Sequence, residues 1–237
     1  MSTSNLPAAQ VPPIVTVPAG SGFASFTITT SPVSADTTVT ITGTYGVSQS
    51  ATITVLAGGG PAGGNTGLRS PSANAADSGG DGNGFESNPA NALADDSASA
   101  VDSNSGTVSS TSCTSTGRDR HRFYNYGITI PSGATVAGIE VRLDARVDST
   151  SGSPRMCVEP SWDGGLSWTA PLATPTLSTT MTTRTLGGAA NTWGRMWTAS
   201  ELSDANFRMR VTNTADSTSR DFSLDVIAVR VTHGGGQ

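Results

Sequence analysis

The sequence predicts an all-β chain: a small, unfinished β module followed by a larger jelly-roll sandwich. Three observations carry this. Over residues 139–148 every odd position is apolar (Ile139, Val141, Leu143, Ala145, Val147) and every even one is charged (Glu140, Arg142, Asp144, Arg146, Asp148). Only a strand has that period, so one face must lie on a core while the other carries its charges into water. Runs rich in Thr, Val and Ile alternate in the same way through the first sixty residues. Gly, Pro, Asn and Ser clusters separate the runs all along the chain.

With 237 residues, 35% of them hydrophobic and only 5% aromatic, the chain can bury a core divided between two modules. A net charge of -5 and a pI near 4.8 leave no basic footprint for nucleic acid, and a polyanion is expected to be repelled. All 13 cationic side chains are arginine, a bias that a GC-rich genome produces. No apolar run approaches the ~18 residues that span a bilayer, so membrane insertion is not expected. The opening Ser-Thr-Ser-Asn-Leu-Pro after Met1 lacks the basic start and apolar stretch of a secretory signal. An extracellular-type composition without such a signal fits a phage structural protein, a piece of a larger surface protein or a substrate of signal-independent export.

The first module covers residues 1–57. Its Pro-rich lead-in cannot be a central strand, because proline removes ladder donors. Strands are expected at 23–30, 37–45 and 48–56, with a fourth at 14–17. Turns are expected at 18–22, at Ser31-Pro32 and at Tyr45-Gly46. The runs Val15-Thr16-Val17-Pro18-Ala19-Gly20-Ser21, Ala24-Ser25-Phe26-Thr27-Ile28 and Thr38-Val39-Thr40-Ile41-Thr42-Gly43-Thr44-Tyr45-Gly46 resemble the C-terminal half of bacterial immunoglobulin-like surface repeats. That resemblance implies an incomplete immunoglobulin-like sandwich, since about seven strands are normally needed. A half-sandwich exposes an apolar face and an open edge. Self-association through Phe23, Phe26, Ile28, Val39 and Ile41 is therefore expected; a small sheet packed on the second module is the alternative.

Residues 58–66 read as a Gly-rich linker. The second module, 67–237, opens with a long irregular stretch whose loop acids and amide, Asp77, Asp81, Asn83 and Glu86, are candidate calcium ligands, though their spacing fits no helix-loop-helix template. Strands are expected at 119–126, 136–148, 155–161, 182–186, 207–212 and 221–231, with one short helical turn over 198–202 capped by a Thr or Ser hydroxyl. The last strand is apolar nearly throughout, as a strand covered on both faces would be. The segments 127–141, 193–198 and 202–211 resemble a jelly-roll-like β-sandwich of bacterial surface and phage structural proteins, which implies a non-catalytic module.

Ser161-Trp162-Asp163-Gly164-Gly165-Leu166-Ser167-Trp168 fits the Asp-box pattern of sialidase propellers, where the Asp fastens a tight hairpin. One copy builds no propeller. The two cysteines, Cys113 and Cys157, point to a disulfide, with two buried thiols as the alternative. His121 and His233 belong to no metal-spaced cluster, and no nucleophile elbow or phosphate loop appears, so enzymatic activity is not expected. Trp162, Trp168 and Tyr124, with Asp163 fixing hydroxyls, are the candidate sugar contacts; Trp193 and Trp197 read as core.

The sequence thus points to a non-enzymatic structural or adhesive subunit of an extracellular, cell-surface or virion assembly, a homo-oligomer or polymer joined through its first module. A carbohydrate-binding module, with a surface glycan as partner, is the alternative. No cofactor is implied beyond calcium.

Overall fold

The computed structural model describes residues 1–31, 33, 36–55 and 63–235, so Pro32, Leu56 and the 58–62 part of the predicted linker lie outside the described residues. The chain separates into two compact units, 1–60 and 61–237.

Unit 1 holds β1 (Ser2–Thr3), β2 (Ala9–Gln10), β3 (Thr29–Thr30), β4 (Thr37–Tyr45) and β5 (Val47–Val55). β4 and β5 form an antiparallel hairpin turned at Gly46, whose φ of 72° is the left-handed conformation that glycine adopts freely. β1 pairs with the other edge of β4, and β2 pairs with β3. The lead-in is therefore partly paired: Ala8 and Ala9 are small enough to sit in the core beside Val39 and Val55. The strand expected at 23–30 shrinks to Thr29–Thr30, and 14–17 forms none. With a core cluster of only four buried residues, Ile28, Val33 and Ile53 packed against it and Ile41 buried beside it, this is an unfinished sandwich. Phe23 is 78% exposed and Tyr45 98%.

Unit 2 is a β-sandwich. Its strands are β6 (Gly64–Asn65), β7 (Ala73–Asp77), β8 (Ala100–Asp102), β9 (Arg120–Tyr124), β10 (Val136–Val147), β11 (Arg155–Ser161), β12 (Leu172–Ala173), β13 (Thr182–Gly187), β14 (Arg208–Thr214) and β15 (Phe222–His233). One sheet runs β13-β10-β15-β6, with β8 also on β15; the other runs β12-β11-β14-β9-β7. All these pairings are antiparallel. The inward faces supply one core: Ile139, Val141, Leu143, Ala145 and Val147 from β10, Ile227, Val229 and Val231 from β15, and Phe123, Met156, Val158, Met209 and Val211 from the opposite sheet. At ~1.5–3 kcal/mol for each fully buried side chain, this interdigitation is the principal force holding the unit together.

Two departures from the sequence reading matter. The outward charges of β10 are not all in water, because the segment after the 3-10 turn Pro89–Ala92 lies over them: Leu93 bridges Val226, and Asp95 bonds Arg142 at 2.9 Å. Asp144 is consequently buried. The same cover makes β15 buried on both faces, as its apolar sequence requires. The C-terminal part of the predicted linker, Gly64–Asn65, extends the sheet by pairing with Thr232 and His233.

Candidate functional site

Alternation along β9, β11 and β14 sends His121, Phe123, Met156, Val158, Met209 and Val211 inward. It therefore places Arg120, Arg122 and Tyr124, Cys157, Glu159 and Ser161, and Arg208, Arg210 and Thr212 on the outer face. Strand register arranges them in rows. Glu159 stands opposite Arg210, Arg210 opposite Arg122, and Arg122 opposite Ala75; one step along, Ser161, Arg208, Tyr124 and Ala73 form the next row.

Two loops wall this face. At one end Cys113 is disulfide-bonded to Cys157, and the loop it anchors turns the carbonyls of Ser115 (2.9 Å) and Thr114 (3.4 Å) onto Arg120. At the other end stands the Asp-box hairpin. Asp163 Oδ1 accepts from the N–H groups of Ser167 (2.8 Å) and Leu166 (3.1 Å) and from the Ser161 hydroxyl (3.0 Å), while Ser161 Oγ accepts from Gly165 N–H at 2.9 Å. Partial desolvation pulls the Asp163 carboxyl upward, but these hydrogen bonds outweigh it and hold its pKa below the ordinary value.

Aromatic rings fix the arginines. The Arg210 guanidinium lies 4.2 Å from the Trp168 ring centroid, and that of Arg208 lies 4.6 Å from the Tyr124 centroid. Arg210 is further held by Glu159 at 2.7 Å and by Asp77 at 3.4 Å. Between them is a hollow of about 230 Å³ lined by Ala75, Arg122, Tyr124, Gly164 and Arg208. Burial lowers the pKa of Arg120 and Arg208, and neighbouring cations add to it: Arg210 acts on Arg120, and Arg122 on Arg208.

The structure thus brings together Tyr124 and Trp168 of the four predicted sugar contacts and separates the other two. Asp163 is turned into its own hairpin. Trp162 follows the outward Ser161 and so points to the core side, where it meets Trp197 edge-on and is covered by Arg195 at 3.9 Å. Trp193 and Trp197 are buried, their indole N–H groups donating to Ile139 O and Thr192 O. The arginines, which form most of the face, escaped the sequence reading; the i, i+2 pairs Arg120/Arg122 and Arg208/Arg210 were the available signal.

The predicted calcium ligands have separate duties. Asp77 faces Arg122 and Arg210, Asp81 binds Asn83, and Glu86 accepts from the backbone N–H of Ser103. Among the described residues, the carboxylates close enough to share a cation are instead Asp95, Asp144 and Asp225, within 4.8 Å of one another. Arg142 already pairs with the first two. Of the residues expected to mediate self-association, Val39 and Ile41 are buried in unit 1 because they occupy the inward positions of β4, and Ile28 is half-buried; Phe23 and Phe26 are exposed.

No protein-family model matches this chain, and no curated protein matches it. Several solved structures are similar, three of them as follows. One is a truncated AlyQ with CBM32 and alginate lyase domains (16% identity, TM-score 0.36), covering 74% of this chain and 35% of that one. A CBM4 structure shares 15% identity over 47% of this chain and 72% of its own, with a TM-score of 0.30. The CBM22-1-GH10 modules of Clostridium thermocellum endo-1,4-beta-D-xylanase 10B, complexed with xylohexaose, share 12% identity over 74% and 28%, with a TM-score of 0.33. The chain therefore spans about a third of the first structure's length, and overlaps this shallow assign neither ligand nor activity.

Proposed function

We propose that unit 2 is a carbohydrate-binding module that seats a sugar chain on the outer face of the β12-β11-β14-β9-β7 sheet and breaks no bond. The observation that carries this is the hollow of about 230 Å³ on that face, lined by Arg122, Tyr124 and Arg208, beside which planar guanidinium groups are fixed by aromatic rings. Sugar recognition needs flat apolar surface for the ring and pre-positioned donors for the hydroxyls, and Tyr124, Trp168, Arg122 and Arg208 supply both. The two carboxylates of the floor, Asp77 and Glu159, are tied to Arg210 rather than left as an acid-base pair. The disulfide belongs to a protein of an oxidising compartment, as an extracellular glycan binder would be. A glycan array tests the reading: binding that is lost in both Tyr124→Ala and Trp168→Ala, with melting temperatures retained, supports it. An intact protein that binds no glycan on the array refutes it.

A second reading concerns unit 1: a structural or adhesive role through self-association, on a surface or virion. Its support is the exposure of Ile14, Phe23, Tyr45 and Val47 around a core cluster of only four buried residues. Solution mass under non-denaturing conditions decides it, and a strict monomer at micromolar concentration ends it.

A further inference from the structure

Resting on the carbohydrate-binding reading, we infer that the sugar taken by this face is acidic, a chain whose pyranoses carry carboxylate or sulfate groups gripped by Arg122 and Arg208 in the hollow they line with Tyr124. The charge balance of the floor is the argument. Arg120, Arg122, Arg208 and Arg210 stand there against Asp77 and Glu159 on the same face and Asp204 beside Arg208, which still leaves one positive charge in excess on a chain whose net charge is -5.

The excess is localised by the hydrogen bonds. Glu159 is spent on Arg210. Asp77 is divided between Arg210 at 3.4 Å and Arg122 at 3.7 Å, a length that is an ion pair but no hydrogen bond. Among the described residues Arg208 hydrogen-bonds backbone carbonyls, those of Asp204, Ala205 and Phe207; the Asp204 carboxylate accepts from the N–H of Gly127 at 2.8 Å and reaches Arg208 through space without a hydrogen bond. Arg120 likewise donates to carbonyls alone. Two cations line the hollow: Arg208, stacked on the Tyr124 ring and hydrogen-bonded to carbonyls, and Arg122, two residues before Tyr124 on the same strand, which shares Asp77 with Arg210.

A neutral sugar would leave those guanidinium groups facing hydroxyls and water. A carboxylate or sulfate oxygen on the ring would accept charge-assisted, bidentate bonds from the same positions. A double-stranded nucleic acid offers anions too, but as a long charged rod against a chain that is acidic overall, whereas the positive floor is one hollow wide.

Isothermal titration of the full chain tests this with four probes: hexagalacturonate, its methyl-esterified form, a sulfated galactan hexamer and xylohexaose, with a 20-nucleotide single-stranded DNA as polyanion control. The expected result is binding of one or both acidic probes at least tenfold tighter than of their neutral counterparts, weakening as salt is raised. The galacturonate and sulfate arms show which anion is preferred, and either supports the inference. Arg208→Ala and Arg122→Ala should each weaken that binding about ten- to a hundredfold, while Arg146→Ala, an exposed cation on the opposite sheet, leaves it unchanged. Near-ultraviolet circular dichroism checks that the variants fold, and Arg208→Lys, which keeps the charge, should recover part of the loss. Equal or tighter binding of the neutral probes overturns the acidic assignment while leaving the glycan reading in place; no binding of any sugar overturns both. DNA binding as tight as that of the acidic sugars also overturns the assignment.

Discussion

Replacing both Cys113 and Cys157 by serine should remove about 4 kcal/mol of stability from unit 2. The number follows from the loop the bridge closes: with a sequence separation of 44, the chain-entropy relation gives about 13 cal/mol/K, or about 4 kcal/mol near room temperature. Local contacts change little, because Cys157 is buried beside Thr214 Oγ1, and a serine hydroxyl at that position keeps an acceptor within reach. The expected effect is therefore on the unfolded chain and on the loop that Cys113 anchors, whose carbonyls hold Arg120. Urea titration of the double variant beside the oxidised protein measures it, and hydrogen exchange over residues 110–116 should accelerate. A stability difference below about 1 kcal/mol, with equal denaturant slopes, would refute the reasoning, since the constraint would then add nothing beyond the sandwich core.

Four further outcomes are expected. Asp163→Ala strips the acceptor from the Ser167 and Leu166 N–H groups and should cost about 1–3 kcal/mol, visible by calorimetry as a fall of several degrees in the unit 2 transition. Gly187→Ala puts a methyl 2.2 Å from the Ile139 carbonyl at a φ of 71°, so it should destabilise by about 2 kcal/mol or more in the same assay. Buried His121 has its pKa lowered to about 4 from 6.5, by burial first and Arg122 second. The unfolded chain takes the proton first, so this contribution is complete above pH 6.5 and is lost as pH falls toward 4. Asp102 acts with the opposite sign: burial raises it from 3.8 to about 8, so its contribution is complete below 3.8 and is lost as pH rises toward 8. Urea midpoints of Asp102→Asn should therefore gain on the parent protein at pH 8 relative to pH 5; parallel pH profiles would show that the Asp102 carboxyl does not titrate in that window.

The strands legible in the sequence are those whose β-branched or charged alternation is strong. β4 and β11 fall on the expected residues, and β10, β13, β14 and β15 agree within about two residues at each end. β7 was not legible, because Ala73-Asn74-Ala75-Ala76-Asp77 has no β-branched residue and owes its pairing to β9. β8 is three residues long and joins its sheet through β15, a contact with no local signature. At the site, Tyr124 and Trp168 were recoverable as aromatics, but the face they share was not: Trp162 and Trp168 differ in destination because the strand parity set by buried Met156, Val158 and Pro160 turns Trp162 inward. The arginines read as solvated charge until the register of β9 on β14 set them side by side.

β15 pairs with β10, β6 and β8, receives bridges from Arg69 and Leu93, and is covered on both faces, yet among the described residues it is the last strand of unit 2. During synthesis every earlier strand emerges while the slot at the centre of its sheet stands empty. A nascent chain stalled before residue 222 would show the ribosome exit an open pair of strand edges and an uncovered apolar layer, a target for chaperones and for pairing with another nascent copy. Closure of unit 2 is thus timed by release of its final strand rather than by the order in which its elements are made.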